Sequence, residues 1–425
     1  MNRALFVIFI VLNSFTVQTF SKNCKKQKSC TACTLGNSEG FQVKCRWCEK
    51  SNKCYSAKST LNPCSKKNNV IKVGLCYQDS EEKYTPNNAY TNVLLSAASY
   101  YKNAQECLDE ILPGGQFIIQ QKIQVRCNFG DYDYEECCAI VATSALHKVI
   151  AVSFRGSTSN SQLFDQLFSM LTDDEVPFKN VGNVQSYFKA VHDEFEPLVQ
   201  ESVQQLMFQN RDYRIVITGH SLGGALASLM AVALVFDNIV SSSQVTLYTF
   251  GMPRVGDGEF AYNHDRLLQF SWRVTHYRDI VPKFPLCSLS NGCQNTTGPY
   301  HSNVEVFYKK PTMTVKSKYK LCLENESLKC SNSVTGCFIT ETCRNYHRFY
   351  YNIDVGSHCQ NTLNGRKWER WLPYLEITSN RTVFWRTWLK CMSFDVVYAE
   401  FVKTLHEQPF RCLVYLIVLS PLCNV

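Results

Sequence analysis

The chain has 425 residues, 45% hydrophobic and 19% charged, with 22 Cys and a formal net charge of +8. That length asks for more than one domain, and the apolar share excludes a disordered chain. No run of 18 or more apolar residues lies in the body to make a polytopic membrane protein, and so many thiols suit an oxidising compartment.

The start reads as a signal peptide over residues 1–21. Met1-Asn2-Arg3 is basic, Ala4 to Leu12 is apolar, and Thr19-Phe20-Ser21 supplies a small or polar cleavage pattern. The apolar part is too short for a membrane anchor, so the expected location is extracellular. Asn-x-Ser/Thr triplets at Asn295, Asn325 and Asn380 fit an exported glycoprotein.

Residues 22–80 form the next expected unit, a basic cysteine module. Eight Cys (24, 30, 33, 45, 48, 54, 64 and 76) fall within 22–76, together with 12 Lys/Arg against Glu39 and Glu49. That stretch is +10 by itself, so the rest of the chain is close to neutral. This removes the nucleic-acid partner that the total charge suggests. Few aliphatic side chains are present, so four disulfides must replace a hydrophobic core. Cys30-x-x-Cys33 and Cys45-Arg-Trp-Cys48 also admit a zinc reading, which a secreted setting disfavours. The cysteine order and Trp47 resemble the plexin–semaphorin–integrin type of module, which implies positioning or partner binding, with no catalysis. Its charge would suit contact with an anionic surface.

The body is expected over 85–360. Val149 to Phe154 is a strand running into Arg155-Gly156-Ser157. In Thr158 to Leu171, the residues Leu163, Phe164, Leu167, Phe168 and Leu171 form one apolar stripe of a short helix. Tyr213 to Thr218 is a buried strand, Gly219-His220-Ser221-Leu222-Gly223 a sharp turn, and Leu226 to Phe236 a helix. Strand, Gly-x-Ser-x-Gly, helix is the setting in which such a serine is a nucleophile, held strained with its hydroxyl outward. His220, beside it on the turn, reads as packing and not as the base.

A serine needs a base, and the base an orienting carboxylate. Ser271 to Tyr277 is a strand, and Asp279 leaves its C-terminal end, where sites of open parallel sheets assemble. Asp257 lies in a Gly-rich turn that explains it, and Asp237 ends the helix after the elbow. Among the downstream histidines, His301 precedes a strand (Val304 to Tyr308) and His347 lies in Tyr346-His347-Arg348-Phe349-Tyr350. Placement alone leaves these two open.

Phe154-Arg155-Gly156-Ser157, Gly219 to Ala225, Gly251-Met252-Pro253-Arg254-Val255-Gly256 and Arg278 to Pro282 occur in an order that resembles the fungal-type (class 3) triacylglycerol lipases. The likeness runs from about Tyr90 to Cys359. It implies an α/β-hydrolase fold, here with the small disulfide-rich N-terminal module, and hydrolysis of acyl esters. It implies Ser221 as nucleophile, Asp279 as acid and His347 as base, with the N–H groups of Ser157 and Leu222 as oxyanion hole. It implies disulfides Cys107–Cys359 and Cys322–Cys330, and pairing of Cys127 with Cys137 or Cys138. The stripe at 163–171 becomes a lid that covers the site in water and faces lipid when open. Two departures stand out: a Cys-rich insertion between Asp279 and His347 (Cys337, Cys343), and a tail without counterpart.

That tail, 361–425, holds four of the six Trp and ends in a largely apolar run, Cys412 to Cys423, too short to span a bilayer. The expected function is secreted serine hydrolysis of triacylglycerol or phospholipid esters at an interface, with no metal or cofactor. The rivals are a non-catalytic binding protein on a hydrolase fold and an esterase for small soluble esters.

Overall fold

The computed structural model describes residues 23–35, 44–65, 69–72, 75–76, 83–114, 116–129, 132–157, 174–287, 298–302, 304–334 and 341–365. The chain divides into two compact units, Met1–Thr362 and Leu363–Val425, and every described strand belongs to the first. The signal peptide, the lid segment, Asn295, Asn380, Cys337 and the tail beyond 365 lie outside the described residues. No helix among the described residues is long and apolar enough to cross a membrane.

The cysteine segment contains α1 (Cys30–Leu35) and strands β1 (Cys45–Cys48), β2 (Lys53–Ser56) and β3 (Asn69–Val70), in sheet order β2-β1-β3. Four disulfides close it: Cys24–Cys45, Cys30–Cys76, Cys33–Cys54 and Cys48–Cys64. The two members of each Cys-x-x-Cys pair bond to different partners, which leaves no dithiolate to clasp zinc. Buried Trp47, Val70 and Leu75 join Tyr84, Trp272 and Tyr308 in one continuous core, so the segment packs onto the body. Lys25, Lys26, Lys28, Lys44, Lys50, Lys53 and Lys58 stay exposed. Lys72 turns inward instead, donating to Asp265 Oδ2 at 2.8 Å and Asn325 Oδ1 at 2.6 Å. The Asn325 amide also donates to Asp265 Oδ2 at 3.1 Å, so both ends of this sequon side chain are engaged.

The body opens with α2 (Pro86–Ala98) and α3 (Ala104–Ile111). Then come β4 (Ile118–Phe129), β5 (Tyr132–Ser144), β6 (Val149–Phe154) and a ribbon of β7 (Glu175–Pro177) and β8 (Asn183–Gln185). The elements α4 (Ser186–Gln209), β9 (Arg214–His220), α5 (Leu222–Phe236), β10 (Val245–Phe250), α6 (Gly258–Leu267) and β11 (Phe270–His276) alternate. The last are β12 (Val304–Tyr308), β13 (Lys320–Cys322), α7 (Glu341–Arg348), β14 (Phe349–Tyr350) and β15 (Ile353–Asp354).

Eight strands make the main sheet, in order β13-β12-β11-β10-β9-β6-β5-β4. Its middle, from β6 through β12, is parallel, and its edges are antiparallel. Both faces are covered, as parallel strands require. Alternation along the strands sorts the side chains: Val152, Ile215, Ile217, Val245 and Leu247 pack under α4 and α5. Ala151, Tyr248, Phe250, Trp272 and Val274 join the opposite core with α2.

The strands expected at 213–218 and 271–277 sit at 214–220 and 270–276. The helix expected from Leu226 begins at Leu222, because Gly223 and Gly224 look like turn residues in sequence while here forming its first turn. Cys107 bonds to Cys359, Cys322 to Cys330 and Cys127 to Cys137, leaving Cys138 a buried thiol.

Candidate active site

Ser221 stands between β9 and α5 with φ +60° and ψ −130°, a strained backbone held by what surrounds it. Its N–H donates to the Phe250 carbonyl at 2.9 Å. The flanking glycines are sterically required. A Cβ on Gly219 would lie 2.1 Å from the Gly223 carbonyl oxygen, and one on Gly223 would lie 2.2 Å from that of Phe154. At the elbow itself, helix and strand therefore touch through backbone.

Asp279 follows β11 in a turn whose N–H donates to the His276 carbonyl at 2.8 Å. Its buried carboxylate is surrounded by donors. Val281 N–H reaches Oδ1 at 2.9 Å, the Tyr350 hydroxyl reaches Oδ2 at 2.6 Å, and His347 Nδ1 lies 3.0 Å from both oxygens. Burial pushes this carboxyl up, but His347, Tyr350 and Val281 outweigh it and hold it below its ordinary value. The contact turns Nε2 of His347 to the opposite edge of the ring.

Gly251 brings the serine and the pair together. It follows Phe250, which accepts the Ser221 N–H, and it adopts φ +58°. A Cβ there would fall 2.7 Å from Asp279 Oδ2 and 2.8 Å from His347 Nδ1. Gly251 thus touches the Asp279–His347 pair while its neighbour Phe250 holds the Ser221 N–H, all at the C-terminal ends of β9, β10 and β11.

His220 lies next to this spot, its ring centroid 4.5 Å from that of His347. Its Nε2–H donates to the His347 carbonyl at 2.8 Å, which leaves Nδ1 to accept from the Tyr100 hydroxyl at 3.1 Å. Burial, then repulsion from His347, pushes its pKa down to about 3, so it stays neutral. It holds the backbone of its neighbour.

His301 is elsewhere. Its Nε2–H donates to the Pro282 carbonyl at 2.6 Å, and its N–H donates to Glu326 Oε1 at 2.8 Å. Arg254 shares that support: it forks onto Glu326 at 2.9 and 3.0 Å and donates to the Pro285 carbonyl at 2.9 Å. Together they prop the turn after Asp279. The other two acids are occupied too, Asp257 capping α6 and Asp237 pairing with Lys179.

Ser157 follows the turn at Gly156, where a Cβ would lie 2.5 Å from the His220 carbonyl and 3.1 Å from Ser221 Cβ. Leu222 opens α5, so its N–H is among the amides without an acceptor inside the helix. Leu222 adjoins Ser221 at the positive end of α5, and Ser157 follows Gly156, which lies against Ser221.

Residues 151–289 match the family described as lipase (class 3), a span that holds Ser221 and Asp279. A lipase of Caenorhabditis elegans is 30% identical over 295 residues, covering 65% of this chain and 81% of that one. The chain belongs to the class 3 lipases. A Rhizopus niveus lipase is 34% identical over 224 residues, 51% of each chain, so the match spans about half of that relative. A solved triacylglycerol lipase, described as having a serine protease triad at its catalytic centre, superposes with a TM-score of 0.53 at 28% identity. It covers 64% of this chain and 96% of its own. This lipase is accordingly an α/β-hydrolase and a carboxylic ester hydrolase that cleaves acyl esters of lipids.

Several contributors around the site have no signature in the sequence. Tyr350 lies in the motif that carries His347, yet nothing there says that its hydroxyl reaches Asp279. Arg254 is part of a recognised motif, but its partner Glu326 is 72 residues away. His220 read as packing in the sequence, and its hydrogen bond to the His347 carbonyl was equally hidden there.

Proposed function

We propose that this lipase works through Ser221, His347 and Asp279. The Ser221 hydroxyl attacks the ester carbonyl while His347 Nε2 takes its proton and Asp279 holds the imidazole by Nδ1. The N–H groups of Ser157 and Leu222 receive the oxyanion, each worth about 10²–10³ in rate. His347 returns the proton to the leaving alcohol. Water, activated by the same base, then cleaves the acyl-serine and releases the fatty acid. The scheme uses no metal or cofactor.

The observation that carries this reading is the buried Asp279–His347 pair against Gly251, one residue past the Phe250 carbonyl that holds the strained Ser221 N–H. The substrates are acylglycerol or phospholipid esters at a lipid–water interface. The apolar stripe in 163–171 supports a lid. The signal-like start and the disulfides support secretion. The closed four-bridge segment with buried Trp47 supports a plexin–semaphorin–integrin-like module, and its exposed lysines support contact with an anionic surface.

A fluorophosphonate probe tests the chemistry. The parent should be labelled once, and Ser221→Ala and His347→Ala should not. An unlabelled parent, or labelling that survives His347→Ala but not His301→Ala, would overturn the assignment. Faster turnover of aggregated than of monomeric ester would support the lid.

A further inference from the structure

His276 ends β11, three residues before Asp279, and is buried. Its two ring edges face carbonyl oxygens of two different segments. Nδ1 lies 2.7 Å from the Phe349 oxygen and 3.2 Å from that of Tyr346. Nε2 lies 2.9 Å from the Pro311 oxygen and 3.2 Å from that of Lys310. Tyr346 and Tyr350 close over the ring edge-on, with centroids 5.7 and 5.8 Å away. Tyr346 and Phe349 bracket His347. Lys310 and Pro311 begin the stretch that leaves β12, and Tyr346 lies in the helix where it returns.

That stretch holds Cys322–Cys330, which the resemblance implies, and, further on, the Cys-rich insertion by which this chain departs from the pattern. Its middle is tied down by β13 on β12, by Cys322–Cys330 and by Glu326 on Arg254, beside the turn after Asp279. A long excursion leaves its ends free to separate unless something joins them, and the entropy of closure rises with its length. Here the end of the excursion carries the base. We propose that His276 is a positioning residue that joins both ends of the stretch between β12 and α7 to the strand delivering Asp279, and so keeps His347 in register with its acid.

The chemistry fits the placement. Carbonyl groups only accept, so the neutral imidazole donates its single N–H at one edge and meets the carbonyls at the other edge by packing; only the imidazolium form donates at both. The His276 backbone carbonyl accepts the Asp279 N–H, so one residue touches both the acid's turn and the base's turn. Tyr308 reaches Tyr351 across the same gap, hydroxyl to hydroxyl at 3.2 Å, so His276 shares this tie with the tyrosines.

The inference rests on His347 being the base, and the experiment separates the two. Turnover of a soluble ester is measured per serine titrated by fluorophosphonate, for the parent, His276→Phe, His276→Asn and His347→Ala. His276→Phe should lower kcat per titrated site about tenfold with KM within about twofold, because geometry is lost and substrate contacts are not. His276→Asn, which keeps one donor, should recover part of that loss. The downfield proton resonance of the His347–Asp279 hydrogen bond should broaden in step. A merely structural role would reduce melting temperature and titratable serine while leaving kcat per site intact. Unchanged kcat per site in both His276 variants, with His347→Ala inactive, would overturn the staple and leave the triad standing. An active His347→Ala would remove the reading beneath it.

Discussion

The Tyr350 hydroxyl donates to Asp279 Oδ2 at 2.6 Å, from a residue three positions past the histidine that the same carboxylate holds. The Asp279 carboxylate is thus fixed by the segment that also carries His347. A hydrogen bond to a buried charged group is worth about 1.5–3 kcal/mol. Tyr350→Phe should lower kcat/KM about tenfold or more, with little change in KM, since the phenol ring still fills its place. Active-site titration followed by steady-state assay checks this. An unaltered kcat/KM would mean that Val281 N–H and His347 suffice.

Gly251 has no room for any side chain. At φ +58° an added Cβ is strained, and it would press on Asp279 Oδ2 and His347 Nδ1 together. Gly251→Ala should therefore abolish turnover while leaving most of the fold, because the clash is with the pair itself. Circular dichroism and fluorophosphonate labelling on the same sample distinguish this from unfolding. Folded protein with parental labelling rates would contradict the packing of the pair against Gly251.

His220 makes the molecule sensitive to acid. Its pKa falls from the ordinary 6.5 to about 3, through burial first and His347 second. The unfolded chain therefore binds a proton between those values that the native state refuses. Stability from this group is complete above pH 6.5 and declines as pH falls toward 3, by at most about 1.4 kcal/mol per pH unit. His301, also held below its ordinary value by burial, adds in the same direction. Denaturant unfolding between pH 7 and 4.5 should show this slope, and His220→Gln should flatten part of it. Below pH 4.5, Glu326, held down to about 2 by Arg254 against burial, adds a further acid loss. A parental slope preserved in His220→Gln would remove His220 as its source.

The sequence made the strand–elbow–helix around Ser221 legible because glycine spacing and apolar runs are local signals. Asp279 was legible for a related reason: it leaves a strand at the sheet edge where such sites form. His301 and His347 could not be separated from their neighbours. What distinguishes them is that one meets Pro282 and Glu326 while the other meets Asp279, and these are contacts over 19, 25 and 68 residues. The same holds for Tyr350, Arg254 and His276, whose types suggest nothing until the chain returns. The pairing of the module cysteines was equally hidden, since spacing does not state connectivity.

Two disulfides of the body differ in what they close. Cys107–Cys359 spans 252 residues and joins α3 to the segment beyond β15, while Cys127–Cys137 spans 10 within one hairpin. In the chain-entropy account, the first restricts the unfolded state by about 5 kcal/mol and the second by about 3 kcal/mol. The sulfurs are buried in both, so the comparison is not confounded by exposure. Replacing each pair by serine should reduce unfolding free energy more for Cys107/Cys359, with the larger drop in denaturant midpoint. The same change should leave kcat per titrated serine near parental, because neither bridge touches Ser221, Asp279 or His347. Equal losses from the two pairs would show that native packing around the sulfurs, and not loop closure, sets their contribution. A fall in kcat per site would instead tie the anchoring of residue 359 to the turn that carries the base.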